Sequence, residues 1–239
     1  MKKKTLIIGG THGDEPIGIR AIKKLSVGRF DWLIGNPIAL KNNKRFYQKD
    51  LNRSAPGDLQ SNVYEVRRAA EIIARSKKYQ YTIDLHGTKK NTGVFIIITN
   101  PKLVNWKLAA MLNIDRIVYW PAISSELSGP LSEYFNCGLE IECGPKNSEL
   151  VENKLVIVLE DFLKNINVDS DWREKLKQKD IFQVYGSVNQ MSNPNKEFSE
   201  FEKVDYQGEE FYPLLVGSYQ EVACYKMKKI NWDQAKSLK

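Results

Sequence analysis

An α/β fold, with a central mostly parallel or mixed sheet flanked by helices and a small β-rich C-terminal domain, is predicted by three features of the sequence. The first is Thr5-Leu-Ile-Ile-Gly-Gly-Thr-His-Gly-Asp-Glu-Pro16, where a β-favouring run breaks at Gly9-Gly10 and a helical pattern opens at Pro16. The second is the alternation of short apolar runs with amphipathic helical stretches up to Asn165. The third is a change of character after Asn165, where alternating or apolar runs are punctuated by Pro and Gly and no long helix appears. The boundary therefore falls between an α/β domain, 1–165, and a β-rich domain, 166–239.

The elements follow in order. Ile17, Ile19, Ile22 and Leu25 mark a helix after Pro16, with Gly18 as its weak point. Asp31 to Leu40 reads as a second strand, interrupted at Gly35 to Pro37. Residues 41–57 form a long polar loop, and long ordered loops in compact domains tend to carry function. Ser61 is placed to N-cap a helix reaching Lys78, with Val63, Val66, Ala70, Ile73 and Ala74 on one face. Tyr81 to His86 is a strand, and Gly93 to Thr99 an apolar run suited to a strand covered on both faces. Leu103 to Leu112 is helical, Arg116 to Trp120 a short strand, and Gly138 to Pro145 a strand running into a turn. Ser148 to Leu163 is an amphipathic helix. Ile181 to Val188, Phe198 to Tyr206 and Phe211 to Met227 supply the C-terminal β structure.

With 239 residues, 42% of them hydrophobic and 27% charged, the chain has the composition of an ordinary soluble globular protein. No run approaches the ~18 apolar residues of a membrane span. The start, Met-Lys-Lys-Lys4, imitates the basic region of a signal peptide, but His12, Asp14 and Glu15 interrupt the apolar stretch at once. It reads as the first strand of a cytoplasmic protein. Three cysteines without C-x-x-C spacing read as reduced and structural. The net charge of +7 is spread over lysines interspersed with acids, and no basic-aromatic motif recurs. That argues against nucleic acid and suits small anionic substrates. A homo-oligomer is compatible with all of this.

Chemistry concentrates at two strand ends. The chain has only two histidines, His12 and His86, and each follows an apolar run and precedes a Gly. Glu15 stands three residues after His12, so the two side chains can converge on one ion. A catalytic zinc takes three N or O ligands and keeps one position open, and His86 supplies the third ligand if the strand ends are neighbours. Asp84, two residues before His86, either orients one of these histidines or makes a loop hydrogen bond. The loop Asn43 to Arg53 holds Arg45 and Arg53 in an irregular segment, where an arginine is either solvated or binds a carboxylate or oxyanion. Glu140 and Glu142 share one face of an apolar strand, and one of them is a candidate general base.

Together these pieces resemble the aspartoacylase and succinylglutamate desuccinylase family, a branch of the zinc carboxypeptidase fold. The matching motifs are Gly-Gly-Thr-His12-Gly-Asp-Glu15, Asn36-Pro37 followed by Arg45 and Asp50-Leu-Asn52-Arg53, Asp84-Leu-His86, and Ile141-Glu142-Cys-Gly-Pro145. More weakly, Glu210 to Val216 and Glu221 to Lys228 resemble the family's β-domain. The resemblance implies one zinc on His12, Glu15 and His86, with Arg45 polarising the scissile carbonyl. It implies Asn52 and Arg53 on the substrate α-carboxylate, Glu142 as general base, and a structural Glu140. Two departures stand out. A further Arg that aspartoacylases place before the catalytic Glu falls at Ser132, and nothing from Trp120 to Glu142 is basic. The family's C-terminal-domain Tyr falls at Cys224, so the adjacent Tyr225 becomes the substrate-binding candidate, provided a β-bulge turns it inward.

The resulting expectation is a zinc-dependent amidohydrolase that removes the acyl group from an N-acyl amino acid or small related amide. Two alternatives are a zinc carboxypeptidase acting on short peptides and a metal-binding module without catalysis.

Overall fold

The structure is a computed structural model that describes residues 4–26, 30–122, 127–168, 171–190, 197–219 and 221–238. The basic start at residues 1–3 lies outside the described residues, as does position 220 within the run 211–227. In chain order the strands are β1 (Thr5–Gly9), β2 (Phe30–Ile34), β3 (Tyr81–Gly87), β4 (Gly93–Ile98), β5 (Arg116–Tyr119), β6 (Gly138–Gly144), β7 (Asp180–Asn189), β8 (Val204–Tyr206), β9 (Glu209–Leu214) and β10 (Val222–Ile230). The helices are α1 (Ile17–Lys24), α2 (Pro37–Lys41), α3 (Tyr64–Ser76), α4 (Leu103–Met111), α5 (Glu149–Asn165), α6 (Trp172–Lys177) and α7 (Trp232–Ala235). None of them is long and apolar enough to cross a membrane.

The strands form one mixed sheet in the order β2-β1-β3-β6-β4-β5-β7-β10-β9-β8. β2, β1, β3 and β6 run parallel, β4 reverses against β6, and β5 and β7 run parallel to β4. The C-terminal strands β10, β9 and β8 extend this sheet as antiparallel neighbours. The alternation of side chains along β1 builds both layers. Ile7 joins the cluster of Ile17, Ile22, Leu159 and Phe162 contributed by α1 and α5. Leu6 and Ile8 face the other way, onto Ile72 and Ile73 of α3 with Leu131 and Phe135. The apolar run of β4 is buried from Val94 to Ile98, as a strand covered on both faces requires.

Gly18 is no defect in α1. A Cβ at this position would stand 2.7 Å from Leu85 Cβ, so the missing side chain lets α1 lie directly on β3. Three local expectations are corrected. The second strand ends at Ile34, and Asn36-Pro37 instead starts α2: Asn36 Oδ1 accepts Ala39 N, and Pro37 occupies the first turn where its lost N–H costs nothing. The loop after it contains a short 3-10 turn at Leu51–Arg53, capped by Asp50 on Asn52 N. Ser61 does not cap α3, which begins at Tyr64; its hydroxyl accepts Val63 N instead.

Candidate active site

β1 and β3 are hydrogen-bonded neighbours with Gly9 opposite Leu85, which brings the turn after β1 beside the end of β3. Gly13 allows that turn to sit on α2, since a Cβ there would meet Ala39 backbone atoms at 2.1 and 2.3 Å. The result is a buried triad. His12 Nδ1 lies 2.9 Å from Glu15 Oε1, His86 Nδ1 lies 3.2 Å from Glu15 Oε2, and the two Nδ1 atoms are 3.3 Å apart. Gly87 N donates to Glu15 Oε2 at 3.0 Å and holds the carboxylate in place.

A carboxylate stands behind each imidazole. Asp50 Oδ1 is 3.0 Å from His12 Nε2, and Asp84 Oδ2 is 3.2 Å from His86 Nε2. Thr11, on the same turn as His12, donates to both oxygens of Asp84, which is fully buried. His12 Nε2 is hydrogen-bonded to its carboxylate, whereas His86 Nε2 meets Asp84 as an ion-pair neighbour without a hydrogen bond, and the two Nδ1 atoms face the same space. Burial works against a charged His12, but the charges of Glu15 and Asp50 outweigh it and lift its pKa to about 9. Burial likewise opposes ionisation of Glu15, yet His12 and His86 hold it well below the usual carboxylate range. The site is thus tuned by charge rather than by exposure.

β6 lies on the other side of β3, with Glu142 opposite His86 and Glu140 opposite Asp84. The two glutamates share a face but differ in partners. Glu140 accepts from Ser132 Oγ at 2.7 Å and from Asn52 Nδ2 at 3.3 Å. Glu142 Oε2 is buried with no hydrogen-bond partner among the described residues. Burial first, then the charge of Glu15, pushes the Glu142 carboxyl up to about 8.

His12, Glu15, His86, Glu140 and Glu142 line one cavity. The polar loop reaches it through Arg45, whose Nε donates to Asp50 Oδ2 at 3.1 Å and whose Nη1 lies 3.4 Å from Glu15 Oε1. Asn52 is engaged at both ends of its amide, accepting Leu131 N and donating to Glu140, which leaves one further N–H to donate. Arg53 also lines the cavity, with Nη1 donating to Asn52 O. Ile97, Trp120, Leu127 and Leu215 form an apolar wall, and Glu133 adds a half-buried carboxylate to the lining. Lys89 and Lys146 lie at its rim; Lys146 pairs with Asp14, and Lys89 is exposed.

Tyr225 is placed differently from the expectation. Bulges do flank it in β10, but its ring packs edge-on against Trp120 and Tyr219 and is not part of the cavity lining. The tyrosine that lines the cavity is Tyr219, whose ring centroid is 5.9 Å from the Arg45 guanidinium carbon. It sits in the turn before β10, where no periodic pattern announces it. Asp50, behind His12, also escaped the sequence reading as a histidine partner. Its only signal was its place beside Asn52-Arg53. The expectation of reduced, structural cysteines fits Cys143, whose buried thiol donates to His86 O and is pushed well above its ordinary pKa by burial.

The triad suits a divalent metal ion. Each residue offers one ligand atom, and the three atoms lie within 4.8 Å of one another. Two imidazole nitrogens 3.3 Å apart, with one carboxylate 2.9 and 3.2 Å from them, are matched by a shared cation. The succinylglutamate desuccinylase/aspartoacylase catalytic domain matches residues 1–166. A probable aspartoacylase of Prochlorococcus marinus (strain MIT 9515) is 26% identical, over 95% of this chain and 91% of its own length. A probable aspartoacylase of Trichodesmium erythraeum (strain IMS101) is 31% identical, over 70% of this chain and 67% of its own. Among solved structures, murine aminoacylase 3 superposes with a TM-score of 0.71 at 20% identity, covering 96% of each chain. The succinylglutamate desuccinylase of Chromobacterium violaceum gives 0.67 at 15% identity, covering 96% of this chain and 85% of that one. Both share the fold.

Proposed function

The chain belongs to the succinylglutamate desuccinylase/aspartoacylase family, hydrolases of N-acyl amino acids, and from that premise we propose that it is a zinc-dependent deacylase of N-acyl amino acids with neutral side chains. The observation that carries this reading is the triad of His12, Glu15 and His86 in one cavity with Glu142, Arg45 and Arg53. His12 Nδ1, His86 Nδ1 and a Glu15 oxygen would hold the zinc. A zinc ion supplies Lewis acidity, activating water and polarising a carbonyl. Glu142 takes the proton of the attacking water and passes it to the departing amine nitrogen. Burial and the charge of Glu15 raise the pKa of Glu142 in the metal-free site, and a cation on the triad would favour the ionised carboxylate that accepts the proton. Arg45, fixed by Asp50, directs its guanidinium toward the developing oxyanion. Arg53 and the free N–H of Asn52 take the substrate α-carboxylate.

Arg53→Ala tests the last assignment. Truncating one partner of a hydrogen-bonded charge pair costs about 2–5 kcal/mol, so KM for an N-acyl amino acid is expected to rise roughly 30-fold or more with kcat less affected. A variant with wild-type KM would remove Arg53 from the substrate.

The preference for neutral side chains rests on the Ser132-Glu133 stretch. Ser132, where the family's further cation would stand, is buried and bound to Glu140 and Thr99, and Glu133 beside it is acidic. The experiment is a panel of N-acetyl leucine, methionine, phenylalanine and aspartate, read as free amine released. Leucine or another neutral member is expected to be hydrolysed faster than aspartate. Glu133→Arg is expected to shift the ratio toward aspartate by up to about fivefold, the size of one solvent-screened charge contact of at most ~1 kcal/mol. A wild-type preference for aspartate would reassign the missing cation to Lys89. Release of a C-terminal residue from dipeptides in place of acyl hydrolysis would favour a carboxypeptidase.

A further inference from the structure

Three consecutive amides of the arginine loop point at one carboxylate. Glu65, fully buried in the first turn of α3, accepts Tyr47 N at 2.7 Å, Gln48 N at 3.1 and 3.2 Å, and Lys49 N at 3.1 Å. It also accepts Asn36 Nδ2 at 3.0 Å, from the residue that caps α2. The bonding partners that fix its oxygens are thus neutral N–H donors, reinforced by the positive end of its own helix. The clasp is reciprocal, because Gln48 Oε1 accepts Tyr64 N at 2.6 Å and so closes the start of α3.

Beside these bonds, the Tyr47 ring meets Tyr64 edge-on at 6.3 Å and Arg45 O accepts Gly13 N at 3.3 Å. Phe46, Tyr47, Gln48 and Lys49 are all exposed, so buried apolar surface contributes little between Arg45 and Asp50. Those two flanking residues are the ones that reach the site: Arg45 toward Glu15, and Asp50 onto His12 and Arg45. Glu65 itself does not line the cavity.

We propose that Glu65 is the positioning residue of the substrate-binding loop: its carboxylate holds the amides of residues 47–49, and through them the placement of Arg45 and Asp50, without touching metal or substrate. Only an ionised carboxylate is acceptor on both oxygens; glutamine would turn N–H donors toward N–H donors. Glu65→Gln in the full zinc-loaded chain therefore has two readouts. Hydrogen exchange at the amides of Tyr47, Gln48 and Lys49 is expected to quicken about tenfold or more, while the amides of β1 and β3 keep their protection. For N-acetylleucine, kcat/KM is expected to fall by a similar factor of about ten, mainly through kcat because Arg45 is assigned to the developing oxyanion, at unchanged zinc content.

The kinetic readout rests on the proposed deacylase function, and the exchange readout does not. A wild type inactive on the whole panel refutes that function and leaves exchange to decide the role of Glu65. Unchanged exchange at the three amides in a folded Glu65→Gln protein overturns the proposal. So does a uniform rise in exchange across the sheet, which would mark a merely structural role, and so does faster local exchange with unaltered kinetics in an active enzyme. If Glu65→Gln fails to fold, Glu65→Asp keeps the charge on a shorter stem and is expected to show the same local pattern at smaller size. An Asp variant identical to wild type in both readouts would then overturn it.

Discussion

Glu142→Gln is expected to lower kcat about 10²–10⁴-fold while the metal content stays that of the wild type. The substitution keeps the volume and the polar character of the side chain but removes its ability to accept a proton. Glu142 is suited to this test because its buried Oε2 has no hydrogen-bond partner among the described residues, so little structure depends on it. Glu140, on the same strand face, is the internal control. It accepts from Ser132 and Asn52, and Glu140→Gln is expected to disturb the Asn52 wall and stability far more than the chemical step. Kinetics and elemental analysis on both variants separate the outcomes. Loss of metal from Glu142→Gln would make this residue a ligand. Survival of activity in Glu142→Gln but not in Glu140→Gln would move the proton shuttle by two residues.

His86→Ala is expected to abolish both bound zinc and activity. It removes one of three ligand atoms and, with it, the group that lies between Asp84 and Glu15. Two buried carboxylates are then left facing a cavity, and breaking a buried charge pair costs about 3–5 kcal/mol. A lowered melting temperature is therefore expected even in the metal-free state. Elemental analysis and thermal unfolding together check it. A His86→Ala protein that still carries about one zinc per chain would show that the ligand set is drawn wrongly.

Much of this site was visible before the structure because strand ends are visible. His12 and His86 each follow an apolar run and precede a Gly, and the three-residue spacing to Glu15 suits chelation. The ends of β1 and β3 then meet because the strands are neighbours, which period and length alone do not settle. What stayed hidden depended on contacts distant in sequence. Asp50 meets His12 across 38 positions, and nothing in a polar loop marks which carboxylate will do so. Glu65 interrupts an apolar helix face, yet its burial follows from loop amides that no periodicity encodes. Tyr219 enters the cavity from a turn without regular pattern. The five-residue α2 was masked by an apolar stretch that reads as strand, although Asn36-Pro37 is a good helix start.

The central claim is that the metal triad makes this chain an N-acyl amino acid hydrolase. It is tested most directly by free-amine release from N-acetylleucine and the rest of the panel, measured on purified protein, after exhaustive chelation, and after adding back zinc. The predicted result is activity that disappears with the metal and returns as zinc approaches about one equivalent per chain. Undiminished hydrolysis by protein that elemental analysis shows to be free of metal would contradict the account.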